Sequence, residues 1–100
     1  MLTRDPDVRP AFHNELRGLD IRMVSNGGVA PRQIRVVVTF HALAAISQTE
    51  IEDLPTALQC FERFEARIEA GASAKFGRIG PEIGEYEGVP TFLLMTGDPL

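Results

Sequence analysis

The sequence predicts a single small α+β domain over residues 1–100. The expected core is an antiparallel sheet of about three or four strands with two helices packed on one face, in the order β-β-α-α-β. Three observations carry this. Leu19-Asp20-Ile21-Arg22-Met23 alternates apolar and polar residues, and residues 33–39 are rich in β-branched ones. Ala57, Leu58, Phe61, Phe64, Ile68 and Ala72 recur at helical spacing. Residues 91–96 form a last strand after a stretch rich in Gly and Pro.

Residues 1–14 read as irregular. Pro6 and Pro10 each remove a donor and push the preceding residue toward extended geometry, so a short edge strand near residues 8–12 is the most structure expected there. In the first firm strand Leu19, Ile21 and Met23 share one face. Ser25-Asn26-Gly27-Gly28 signals a turn, because Asn and Gly accept positive φ. A two-residue Asn26-Gly27 loop would set Ile21 opposite Arg32. A wider loop, about residues 25–32, sets Leu19 opposite Val38, Ile21 opposite Val36 and Met23 opposite Ile34. The wide loop keeps the apolar residues on one face and is preferred. It also sets Arg22 opposite Arg35, which requires an acid or anion nearby.

Thr39 suits an N-cap for a short helix over residues 40–47. Pro55 suits the first turn of the second helix, which should run to about Lys75 and stop at Gly77 and Gly80-Pro81. Arg63, Ala66, Arg67 and Ala70 fall away from its apolar stripe. Residues 77–90 form a connection with a short strand near residues 83–86. In residues 91–96, Phe92 and Leu94 face one way and Leu93 and Met95 the other. The second apolar face must meet either the N-terminal segment or another copy, and a homodimer is expected.

Composition bounds the function. The chain is 44% hydrophobic and 24% charged, with 9 Gly, 7 Pro and one Cys, which is ordinary for a globular domain. The lone Cys60 excludes an internal disulfide and fits a reducing compartment. The first seven residues hold no apolar run, so no secretory signal is expected, and the apolar run of residues 36–46 is too short to span a bilayer. The expected location is cytoplasmic, with no membrane association. The net charge is −4. The first 49 residues carry six Arg against four acids, and the remainder carries four basic groups against ten acids. That balance disfavours nucleic acid as a partner.

In three places the sequence resembles a known family. These are Val36-Val37-Val38-Thr39-Phe40-His41-Ala42-Leu43; Phe61, Ile68-Glu69, Ala72 and Lys75-Phe76; and Leu93-Leu94 with Asp98. Over residues 19–100 they resemble domain-of-unknown-function family 1488, a group of small bacterial proteins. Glu65 stands where that family has Arg, and His41 where it has an acid. The resemblance implies a compact α+β fold in the bacterial cytoplasm and supplies no catalytic residue.

The sequence holds few candidates for chemistry. Cys60 lacks an adjacent basic group and reads as a structural thiol. His13 and His41 lack metal-ligand spacing. Gly77-Arg78-Ile79-Gly80 matches the Gly-x-x-Gly of nucleic-acid clamps, but Pro81, Gly84 and Gly88 oppose a following helix, so it reads as a helix stop. Glu82, Glu85 and Glu87 read as a solvated acidic turn, since no cation-binding loop pattern surrounds them. Arg22, Arg32 and Arg35 are the candidate anion or nucleic-acid contacts, as a basic strip on the outer sheet face; the competing reading pairs them with Asp20 and nearby Glu residues. The expectation is a non-enzymatic accessory or protein-interaction domain that self-associates, with no cofactor and a protein partner. The alternative is a weak anion or nucleic-acid binder using the three arginines.

Overall fold

The computed structural model describes residues 2–25, 31–80 and 83–98. In chain order the elements are β1 (Leu2–Arg4), β2 (Ala11–His13), β3 (Gly18–Ser25), β4 (Arg32–Thr39), α1 (Phe40–Ser47), α2 (Leu54–Ile79), β5 (Gly84–Tyr86) and β6 (Val89–Leu94). The fold is α+β. All six strands join one sheet in the order β1-β3-β4-β6-β5, and β2 also pairs with β3.

The β3–β4 ladder has the expected wide-loop register: Leu19 faces Val38, Ile21 faces Val36, Met23 faces Ile34, and Arg22 faces Arg35. Period-two alternation makes any odd slip bury Asp20 and Arg22 among helix side chains, so the apolar pattern sets the pairing. The expected Asn26-Gly27-Gly28 turn lies outside the described residues. Thr39 caps α1 as expected, its hydroxyl accepting from the Ala42 N–H at 3.1 Å. Leu19, Ile21, Met23, Ile34, Val36 and Val38 face the helices and are no more than 1% exposed; Phe61, Ile68 and Leu94 close the same core.

The sheet departs from expectation in kind and in size. It is mixed, because β4 and β6 run parallel, with Val36 beside Phe92 and Val38 beside Leu94. The segment 40–88 between these strands contains both helices and returns the chain to the end of the sheet from which β4 set out. A helical crossover of that kind makes a parallel pair. Residues 1–14 are not wholly irregular. β1 and β2 each pair antiparallel with β3, and Pro6 and Pro10 sit in the gap between them, where no ladder donor is needed. β5 fits the short strand expected near residues 83–86. It joins β6 through Glu87 and Gly88, both at positive φ, as a two-residue hairpin turn requires.

α2 runs four residues beyond Lys75. Gly77 lies inside it, and Gly80, at φ 58°, caps it. Gly77-Arg78-Ile79 is therefore the last turn of a helix rather than a loop. Asp53 opens α2 by accepting from the Thr56 N–H at 2.9 Å, with Pro55 in the first turn. The backbone leaves helical geometry at Phe64 (φ −114°, ψ 20°), where α2 kinks. β6 ends at Leu94, so Met95 and Thr96 follow the last strand instead of closing it.

Candidate functional site

The three candidate arginines do not form one strip. Arg22 and Arg35 are cross-strand partners on the sheet face away from the helices. Arg32 has the parity of Ile34 and Val36, which places it on the other side of the pleat, at the exposed start of β4. The Asp20 carboxylate divides between the first two. Its Oδ1 lies 3.1 Å from Arg22 Nε and its Oδ2 lies 3.3 Å from Arg35 Nε. Arg22 Nη1 also donates to Gln33 Oε1 at 3.2 Å, and Gln33 Nε2 donates to Asp5 Oδ2 at 3.2 Å.

Arg35 is 5% exposed. Its guanidinium lies 5.3 Å from the Tyr86 ring centroid and donates to the Tyr86 carbonyl at 3.1 Å. The Nε contact to Asp20 is an ion pair without hydrogen-bond alignment. Two arginines are thus tied to a network containing two aspartates, so this face presents little free positive charge.

Tyr86 also reaches β2. Its ring meets His13 edge-on at 5.1 Å, and its hydroxyl donates to the Glu15 carboxylate. β2 and β5 lie at opposite ends of the strand order, so the sheet curls to bring them together. His13 Nδ1 accepts from the Leu16 N–H at 3.1 Å, which commits that nitrogen to the turn. The His13–Tyr86–Glu15 group holds the curl closed. No sequence spacing could have shown it, because Tyr86 lies more than 70 positions from both His13 and Glu15. No group of three His, Cys, Asp or Glu fit to hold a metal occurs among the described residues.

The second apolar face expected on the last strand is mostly covered from within. Val37 is fully buried and Leu93 half-buried, while Met95 is 46% exposed. Met95 lies at a concavity of about 510 Å³ with Leu16 and Phe40, rimmed by Arg17 and His41. Phe12 stacks on Phe40 at 4.5 Å behind it. The Phe40 N–H donates to the Arg17 carbonyl at 3.1 Å, which fixes the β2–β3 turn against the start of α1. The other wall rests on Asp98, whose Oδ2 accepts from the Met95 N–H and from Lys75 Nζ, each at 2.7 Å. Partial burial pushes the Asp98 carboxyl up. Hydrogen bonds from Lys75 and the Met95 N–H, with the charges of Lys75 and Arg78, outweigh it and hold the group below the usual aspartate range.

Cys60 is buried, and its thiol donates to the Leu43 carbonyl at 3.5 Å, joining α2 to α1. His41 is exposed in the first turn of α1. Glu85 and Glu87 are exposed on the β5–β6 hairpin, and Glu82 lies outside the described residues. No helix is long and apolar enough to cross a membrane among the described residues. Comparison with protein-family models, with curated proteins and with solved structures finds no significant match.

Proposed function

We propose that the protein is a non-enzymatic interaction domain that associates with a second copy of itself through the concavity at Met95. The observation that carries this is the exposure of Met95 beside Leu16 and Phe40, Met95 being the one exposed large apolar side chain among the described residues. A second copy suits this patch as occupant. In a two-fold contact the same patch meets itself, so Met95 of each copy is covered by Leu16 and Phe40 of the other. The anion-binding alternative draws no support from the arginine face, because Asp20 and Asp5 already engage it.

Sedimentation equilibrium tests this reading. The wild type is expected to sediment as a dimer, and Met95→Glu as a monomer with unchanged circular dichroism. Leu16→Glu, on the same patch, is expected to weaken the dimer. A wild type that stays monomeric at millimolar concentration overturns the proposal, as does a Met95→Glu dimer of undiminished affinity.

A further inference from the structure

A second cavity, of about 570 Å³, lies at the C-terminal end of α2, and its chemistry differs from that of the Met95 concavity. Its apolar wall is Ile79, Ile83 and Phe92. Its polar end carries Lys75, Arg78 and Asp98 in three different states of satisfaction. The Lys75 ammonium is spent on the fold, donating to the Leu93 carbonyl at 2.6 Å and to Asp98 Oδ2 at 2.7 Å. Asp98 Oδ2 is likewise spent on Lys75 and the Met95 N–H. Two groups remain. Among the described residues Arg78, 64% exposed, makes no hydrogen bond, and Asp98 Oδ1 meets only Arg78, as an ion pair at 3.7 Å that is beyond hydrogen-bond range. A forked donor and a charged acceptor therefore stand side by side over an apolar wall, paired by charge but without a hydrogen bond to each other.

We infer that this cavity binds a small zwitterion with an apolar side chain, an apolar α-amino acid. Arg78 takes the carboxylate through its paired N–H groups. Asp98 Oδ1 takes the ammonium. The two ligand groups are attached to the same α-carbon, so together they reach a donor and an acceptor 3.7 Å apart. The side chain lies along Ile79, Ile83 and Phe92. A plain carboxylate fits less well, because the α2 C-terminus carries the negative end of the helix dipole. The same dipole favours the ligand ammonium. The volume lies within the range of small-ligand cavities.

The probe is L-phenylalanine, followed through the protein's amide chemical shifts in two-dimensional NMR. A ligand of this size is expected to bind in the millimolar range. Saturable shifts should cluster at Lys75, Arg78, Ile79 and Phe92. Two analogues remove one charge each: 3-phenylpropionate lacks the ammonium and 2-phenylethylamine lacks the carboxylate. Each should bind at least about tenfold more weakly, each having lost a charge-assisted contact. Arg78→Gln should weaken phenylalanine binding by a similar factor, and Arg9→Gln, at a distant exposed site, should leave it unchanged. Asp98→Asn keeps an oxygen for Lys75 and the Met95 N–H while replacing Oδ1, so it should lose the preference for phenylalanine over 3-phenylpropionate. Absence of saturable shifts, equal binding of all three compounds, or full binding by Arg78→Gln overturns the inference.

Discussion

Arg22 and Arg35 stand directly opposite each other across the β3–β4 ladder, and each takes one oxygen of the same carboxylate, that of Asp20. Like charges in cross-strand register repel, and the shared Asp20 reverses the sign of the local interaction. The two arginines are not equivalent. Arg35 is shut beneath Tyr86 at 5% exposure, whereas Arg22 extends along the sheet toward Gln33.

Removing Asp20 should therefore act mainly through Arg35. Asp20→Ala leaves a buried guanidinium without its counter-charge and is expected to cost about 3–5 kcal/mol. Arg22→Ala removes a half-buried partner and should cost no more than about 1 kcal/mol. Urea denaturation of the two variants measures the difference. Equal costs would show that Arg35 draws nothing special from Asp20.

Phe61 anchors α2 in the core at 1% exposure, with the Arg4 guanidinium 5.1 Å from its ring centroid. Phe61→Ala should cost about 3–5 kcal/mol through the cavity it leaves. From the sequence alone, Arg63→Ala should change stability by less than about 0.5 kcal/mol. The structure raises that expectation. Arg63 lies 5.2 Å from the Phe64 ring at the α2 kink, and Arg67 lies 5.6 Å from the same ring. About 0.5–1 kcal/mol is expected for an exposed cation–ring contact. A loss from Arg63→Ala as large as that from Phe61→Ala would mean the stripe is misplaced.

Gly18 begins β3 where β4 leaves no room for a side chain. A Cβ there would stand 2.5 Å from the Val38 carbonyl oxygen and 2.6 Å from Val37 Cγ1. The first of these is backbone and cannot turn aside. Gly18→Ala should destabilise by about 1–3 kcal/mol or more and splay the start of the ladder. Amide exchange at Val38 and Thr39 reads the local effect. Exchange and thermal midpoint both unchanged would contradict the close approach.

Acid should weaken the fold through Asp53 and Asp98. Side-chain and backbone hydrogen bonds from Thr56 hold the Asp53 carboxyl below its usual value, and Asp98 is held low as described above. A depressed carboxylate pKa contributes stability that is complete above the unfolded value of about 3.9. The contribution is lost as pH falls through the lower folded-state value. The urea midpoint should therefore drop below about pH 4, at the unfolded carboxylate value, and the drop should be shallower in Asp98→Asn. A midpoint in Asp98→Asn that follows the wild type through that range would remove Asp98 from the account.

Sequence alone determined the centre of this fold. The period-two alternation of Leu19, Ile21 and Met23 against Ile34, Val36 and Val38 dictated the β3–β4 register, because any slip would exchange core and solvent faces. The 3.6-residue stripe through Ala57, Phe61 and Ile68 dictated the buried side of α2. The side of the sheet on which Arg32 sits was also legible, in the parity it shares with Ile34, although nearness in sequence groups it with Arg35. Other features were decided only by the tertiary structure. β1 and β2 are three-residue strands, too short to carry a period, and exist because the edge of β3 supplies their hydrogen bonds. The parallel β4–β6 pair follows from where the helices deliver the chain, and no local pattern distinguishes it from an antiparallel one. The burial of Arg35, the meeting of His13 with Tyr86 and the exposure of Met95 all depend on the curl of the sheet and the end point of β6. Periodicity reports which side of its own element a residue occupies; what covers that side depends on residues far away along the chain.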